Sequence, residues 1–258
     1  MKDNKPFISI LLPIANAQAF LADALTSLLC QSYKDFEIIA IDDFSKDSSY
    51  KILKDFRKKD KRLKISRNVK KYGMAITLNR AIKKAKGTQI TFMDAEDVMY
   101  KDRLKKQVQF LLANPKVVAV GTQCTYLSER NKRVGVSAFP YENDTIYNKP
   151  LHGIAMQFET VMINKYLLPK DILFFQTSGE AFLYTDLFMR LLQYGQLTNL
   201  AIPLQYHRKH DEAKDSLMKK IPSFTKLLLR SFSQYDYRPS LRALLPTPFR
   251  EIELTTNS

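Results

Sequence analysis

Along residues 7–123, short apolar runs alternate with stretches whose apolar residues recur every three or four positions. Phe7-Ile-Ser-Ile-Leu-Leu12 is an apolar, β-branched run ending at Pro13, which predicts a buried strand. Asn16 is placed to cap the helix that follows, on which Phe20, Leu21, Ala24, Leu25, Leu28 and Leu29 make one face. Phe36–Ile41 predicts a second strand, ending in Asp42-Asp43. Asp47 or Ser48 then opens a helix carrying Ile52, Leu53 and Phe56. Leu63–Ser66 is a brief third strand. A third helix follows Gly73, with Ile76, Leu78, Ile82 and Ala85 on its face and Gly87 as its C-cap. Gln89–Met93 is a fourth strand, ending in Asp94-Ala-Glu96-Asp97. The stripe Leu104, Val108, Leu111 and Leu112 stops at Asn114-Pro115, and Val117–Gln123 is a fifth strand.

This alternation predicts an α/β fold built on a doubly wound, mostly parallel sheet. Beyond it the pattern loosens. Arg133–Phe139 reads as part of a hairpin, Ala155–Ile163 as a strand, and Leu183, Leu187 and Leu191 share a helix face. From residue 212 the chain changes character. Leu227, Leu228, Leu229 and Phe232, with Lys226 and Arg230, form a basic amphipathic stretch able to dock on a bilayer or pack back on the domain.

Composition narrows the class. The 258 residues are 45% apolar and 26% charged, a globular balance with ample material for a core. Cys30 and Cys124 are too few for a disulfide scaffold or a structural zinc site. Lys2 and Lys5 before the run Phe7–Ile14 imitate a signal peptide, but Asp3 and Pro13 break that pattern. No stretch approaches the ~18 apolar residues of a spanning helix. The expectation is a cytoplasmic chain, touching the inner face of the membrane if it touches one at all. The net charge of +15 calls for a polyanionic partner, and +13 of it falls in residues 46–106. No helix-turn-helix, RNA-binding or zinc pattern accompanies that charge, so nucleic acid is not the expected partner.

Chemistry concentrates at strand ends. In an open α/β sheet, ligands bind beyond the carboxyl ends of the strands. Asp42-Asp43 and the Asp94/Glu96/Asp97 cluster both fall there. Any one such Asp can be a helix cap, but several gathered together need a cation or a donor-rich ligand. Asp94-X-Glu96 offers two oxygen ligands to a hard divalent ion, Mg²⁺ or Mn²⁺, that also meets substrate phosphates. The first turn, Pro13-Ile-Ala-Asn-Ala-Gln18, holds no glycine, which excludes the dinucleotide fingerprint. Tyr72 and Tyr100, near the acidic clusters, are candidates to stack on a base or sugar. His152, His207 and His210 carry no clear signal, and His207 reads as part of a solvated basic turn.

Phe7–Asn16, Leu28–Ser45, Arg67-Asn68, Leu78–Ile82, Met93–Asp97 with Asp102-Arg103-Leu104, and Val120-Gly-Thr122 together resemble the family-2 inverting glycosyltransferases of GT-A fold. The likeness is strong over residues 1–125 and weaker through Asp186–Leu191 to Tyr206-His-Arg208. It implies a nucleotide-sugar half (1–125), an acceptor half (126–211) and a separate appendage (212–258). It further implies inverting transfer from a nucleotide-diphospho-sugar, a UDP-sugar foremost, to a glycan or lipid-linked acceptor in bacterial surface glycan or lipopolysaccharide synthesis. Pro13, Ala15 and Asp43 would then hold the nucleoside, with Asp42 supporting the turn. Asn79 and Asp94 would contact the donor, and Glu96 with Asp94 would bind the metal.

Three positions depart from the family pattern. Glu96 replaces the usual metal-site Asp, Phe158-Glu159 stand in place of a His-Pro pair, and Leu183-Tyr184 stand in place of the Glu-Asp pair that supplies the catalytic base. Glu180, one helical turn before Tyr184, and Asp186 are the candidate bases left by this alignment. The alternative is a domain that binds a nucleotide sugar or a partner protein without catalysing transfer.

Overall fold

The computed structural model describes residues 7–148, 155–177, 182–209, 217–235 and 237–238. The first half is β1 (Ile8–Ile14), α1 (Leu21–Leu29), β2 (Phe36–Asp42), α2 (Ser49–Lys59), β3 (Leu63–Arg67), α3 (Met74–Lys84) and β4 (Gln89–Phe92). Then come β5 (Val98–Met99), α4 (Arg103–Ala113), β6 (Val117–Leu127), β7 (Arg133–Val136), α5 (Asn143–Asn148), β8 (Met162–Asn164), α6 (Leu183–Leu191), β9 (Gln196–Arg208) and α7 (Leu217–Gln234). The strands form a single sheet in the order β3-β2-β1-β4-β8-β6-β9-β5, with β7 paired to the C-terminal end of β6.

Strands β3, β2, β1 and β4 are parallel, as the alternating pattern requires. Every residue of β2 is buried, because helices cover both sheet faces. Leu21, Ala24, Leu25 and Leu28 of α1 pack against one face, and Ala75, Leu78 and Ala81 of α3 against the other. In the second half the order is mixed. β8 runs antiparallel to both β4 and β6, and β9 is parallel to β6.

Several local expectations are corrected by tertiary contacts. Asn16 does not cap α1. It adopts a left-handed φ of 54° and its side chain accepts a bond from Lys46 N–H at 2.8 Å. Gly87 is not a helix cap, since α3 ends at Lys84. A Cβ there would lie 2.4 Å from Ser9 N, so only glycine lets this backbone reach β1. Ala155–Ile163 is not a continuous strand, because a 3₁₀ turn at Phe158–Thr160 precedes the short β8.

At the C-terminal side, α7 packs on α6 through Met189, Leu227, Tyr235 and Tyr237. The pivot is Asp186, buried at 3% exposure. It is ion-paired to Arg190 on its own helix and to Arg230 of α7 at 2.8 Å, and accepts a bond from Tyr235 O–H at 2.9 Å. Arg190 also donates to the carbonyls of Ile172 and Phe174 at 3.0 and 2.8 Å. Among the described residues no helix is long and apolar enough to cross a membrane.

The centre of the molecule is polar as well as apolar. Arg103, fully buried, donates to Gln107 Oε1 at 3.0 Å, to Thr91 Oγ1 at 2.8 Å and to Gln205 Oε1. Gln107 in turn donates to the carbonyls of Val120 and Thr160, both at 2.8 Å. One side chain at the start of α4 therefore ties β4 to β9, and its neighbour ties β6 to the 3₁₀ turn. Arg103→Met leaves three buried acceptors without their donor. The expected cost is about 3 kcal/mol of unfolding free energy, seen as a lower urea midpoint at unchanged slope.

Candidate active site

The carboxyl ends of β1, β2 and β4 lie side by side, so the turns after them share one edge of the sheet. Pro13 lies next to that edge in β1, half-buried, and Ala15 just beyond it is exposed. Asp43 N–H donates to Ile14 O at 2.7 Å, which joins the first two turns. The Asp43 carboxylate accepts from Asn68 Nδ2 at 2.7 Å, Tyr72 N at 2.9 Å and Gly73 N at 2.8 Å. It thus holds the entry to α3. Asp42, fully buried, is ion-paired to Arg67 at 2.9 Å and accepts from Ser45 N at 3.3 Å. The Tyr72 ring has the Arg80 guanidinium 4.1 Å from its centroid, whereas Tyr100 packs on Tyr206 at the β5–β9 pairing, which turns it to the structural side.

The turn after β4 is shaped by its own acids. Asp94 Oδ1 accepts Glu96 N–H at 2.8 Å. Burial raises the Asp94 carboxyl to about 7, and the charges of Asp97, Glu159 and Glu96 push in the same direction. Asp97 is 2% exposed and fully engaged. It accepts from Gln205 Nε2 at 2.6 Å, from Arg208 N at 2.9 Å, and pairs with His207 Nδ1 at 2.9 Å. Burial opposes a charge on His207. The hydrogen bond to Asp97 and the charges of Asp97, Glu159 and Asp94 outweigh it and carry the imidazole up to about 9.

Sequence reasoning missed this partner. His207 is not a solvated turn residue but the second wall of the acidic turn. No local signal marks it, since β9 pairs with β6 and β5 across 78 and more residues and Pro203 interrupts its alternation. Glu159 was missed as well, and its placement beside Asp94, Tyr184 and His207 is legible only once β8 lies between β4 and β6.

Two predicted site residues are engaged elsewhere. Asn79 donates to Phe175 O at 2.8 Å and accepts from Phe175 N at 2.7 Å, so its amide clamps a distant backbone segment instead of facing a donor. Asp186 sits in the ion-pair cluster between α6 and α7, with three donors on its carboxylate, which removes it as a proton acceptor for the site. Glu180 lies outside the described residues. Tyr184 stacks flat on Phe158, centroids 3.9 Å apart at 9°. Burial, followed by the charges of Glu159 and Asp94, raises its phenol above the usual value, so it stays protonated.

Asp94 and Glu96 suit a divalent ion. The neighbouring negative charges that push the Asp94 carboxyl up are relieved by a cation. Among the described residues no three His, Cys, Asp or Glu side chains form a closed metal cage. Two carboxylates with the remaining positions left to phosphate and water is the pattern of a substrate-bridging Mg²⁺ or Mn²⁺.

Residues 9–171 match the description "Glycosyl transferase family 2". Over 118 residues the chain is 41% identical to an uncharacterised glycosyltransferase of Haemophilus influenzae, covering 46% of this chain and 47% of that protein. Over 112 residues it is 34% identical to a putative teichuronic acid biosynthesis glycosyltransferase of Bacillus subtilis, covering 43% and 44%. The matched stretch is thus a little under half the length of either relative. Among solved structures, S. aureus TarS 1–349 in complex with UDP-GlcNAc shares the fold with a TM-score of 0.71 at 21% identity, over 90% of this chain and 68% of that one. A mannosyltransferase from Pyrobaculum calidifontis, in complex with GDP-Man and Mn²⁺, matches with a TM-score of 0.61 at 16% identity, over 90% and 64%.

The His207–Asp97 pair makes stability depend on pH. The folded imidazole titrates at about 9, above its ordinary ~6.5 when unfolded. Its contribution is complete below the lower value and disappears as pH rises through the upper one. His207→Gln is expected to lower the unfolding free energy most near pH ~6, by about 3 kcal/mol, read as a lower urea midpoint, and hardly at all near pH ~10.

Proposed function

The chain belongs to glycosyl transferase family 2, and on that premise we propose that it moves a sugar from a nucleotide-diphospho-sugar to an acceptor hydroxyl. The donor we favour is a UDP-sugar, transferred with inversion. The observation that carries this reading is the meeting of the Pro13–Ala15 turn, the Asp42-Asp43 turn and the acidic segment 94–97 at one sheet edge. The first two, joined by the bond from Asp43 N–H to Ile14 O, offer backbone groups to a nucleoside. The third offers Asp94 and Glu96 to a divalent ion on the diphosphate.

When bound, that ion supplies Lewis-acid stabilisation of a departing diphosphate. The chain's own residues orient and position. Asp97 fixes the acidic turn against β9, His207 places a positive charge beside it, and Phe158, Phe175 and Tyr184 wall the acceptor side. The acceptor we propose is a hydroxyl of a bacterial surface glycan or lipid-linked precursor, met at the inner face of the membrane. The relative named for teichuronic acid biosynthesis supports that setting. So do Leu229 and Phe232 of α7, 65% and 45% exposed, beside the exposed Lys226.

A second reading is favoured by one observation. Tyr184, standing where the family resemblance expects an acid, is stacked on Phe158. A domain that binds a nucleotide sugar or a partner protein without transferring would look the same at this position.

Thermal unfolding with a panel of UDP-, GDP- and dTDP-sugars, with and without Mn²⁺, tests the donor and the metal together. One nucleotide class is expected to raise Tm by about 5–10 °C at a hundredfold excess over Kd, only when Mn²⁺ is present. Glu96→Ala is expected to remove the Mn²⁺-dependent part. No shift with any sugar overturns the transferase reading, and a full shift without donor cleavage supports the binding-only one.

A further inference from the structure

Two of the three departures from the family pattern touch each other. Phe158-Glu159 and Leu183-Tyr184 are far apart in sequence, yet the Phe158 and Tyr184 rings stack face to face at 3.9 Å. Where the resemblance expects an acid on α6 there is Tyr184, and on the turn that this tyrosine packs against there is an acid, Glu159. We propose that Glu159 is the catalytic base of the reaction, performing from this turn the proton-accepting task for which Leu183-Tyr184 are unsuited. The inference rests on the transferase reading and adds to it the residue that activates the acceptor.

The geometry supports the assignment. The Phe158–Thr160 turn is held from both sides. Thr160 O accepts from Gln107 Nε2 at 2.8 Å, Thr122 N–H donates to Thr160 Oγ1 at 3.1 Å, and Val161 O accepts from Thr91 Oγ1 at 2.8 Å. Phe158 and Thr160 are buried while Glu159 between them is half-exposed. A turn held from both sides therefore carries one carboxylate that is only partly covered. Among the described residues its hydrogen-bond partner is Gln157, whose Nε2 donates to Oε2 at 2.6 Å. The same Gln157 nitrogen lies 3.4 Å from His207 Nε2, and His207 reaches Asp97 through its other nitrogen. Glu159 is thus oriented by Gln157, whose side chain lies between it and the His207–Asp97 pair. A carboxylate with one donor keeps lone pairs for an incoming hydroxyl. Tyr184 cannot do this work, since a phenol held protonated is a poor base.

In the step, the acceptor O–H proton passes to a Glu159 oxygen. The hydroxyl oxygen forms its bond to the anomeric carbon as that carbon's bond to the diphosphate oxygen breaks. The nucleoside diphosphate leaves with the electron pair, and Glu159 later releases the proton to water.

The test uses an acceptor that has no proton to lose. Azide attacks the anomeric carbon without a base, whereas water needs one. With the full chain, UDP-GlcNAc and GDP-mannose are offered with Mn²⁺, and nucleotide release to water and glycosyl azide formation are both measured. Glu159→Gln is expected to slow transfer to water by about 10²–10⁴-fold, the size of general-base catalysis. Azide transfer stays within about threefold of wild type, and the Mn²⁺-dependent thermal shift with donor is retained. Transfer to water within about threefold of wild type overturns the assignment and leaves the transferase reading standing. Equal loss of both transfers, or loss of the thermal shift, also overturns it, making Glu159 a donor-positioning or structural residue. If the wild type neither binds nor cleaves either donor, the transferase reading fails, and Glu159 as base falls with it.

Discussion

The site depends on the burial of Asp97. A carboxylate at 2% exposure is costly to desolvate, so it persists only where donors surround it. Here β9 supplies them all. Gln205, His207 and the Arg208 backbone N–H each bond to it, and Arg208 Nε also donates to Glu96 O at 3.3 Å. The acidic turn after β4 is thereby clamped to a strand more than 100 residues away. Gln205 extends the clamp inward to Arg103, and Arg103 carries it to Thr91 in β4. A network whose every member is satisfied rigidifies as well as stabilises. The carboxylates of Asp94 and Glu96 therefore stand on a fixed base.

A second polar centre organises the packing of α6 and α7. Asp186 gathers Arg190, Arg230 and Tyr235, and Arg190 passes the constraint to the carbonyls of Ile172 and Phe174. Asn79, from α3 in the first half of the chain, grips the next residue, Phe175, by both backbone groups. Phe175 then packs on Phe92 and Phe158. The aromatic wall beside Glu159 and Tyr184 is held from α3 on one side and from α6 and α7 on the other. Residues that look like donor ligands or bases in sequence thus set the shape of the wall instead.

Much of the first half was legible. The parallel strands β1 to β4 and their helices follow from apolar periodicity, since a strand covered on both faces must be apolar throughout. The acidic strand ends were legible for the same reason, as charges that interrupt buried runs are conspicuous. The family-2 resemblance in residues 1–125 added names for those positions. The second half was less readable. β5 is two residues long and β8 three, too short for any periodicity, and β9 carries Pro203 with polar residues on its buried side.

By itself, then, the sequence determined the layered α/β frame, the family, and the placing of acids at the edge where ligands bind. These rest on local pattern, in which burial of a continuous apolar run decides the element. Tertiary structure alone decided which acids face the crevice and which are spent on packing. Asp43 and Asp94 carry the same side chain at similar strand ends, yet one accepts three hydrogen bonds from neighbouring loops while the other is raised by neighbouring charges. Asp186 is neutralised by arginines from two helices, and Glu159 is brought beside the acidic turn by a three-residue strand inserted between β4 and β6. Electrostatic environment is a property of spatial neighbours, and most of those neighbours come from segments 25 to 110 residues distant, a separation no local pattern encodes.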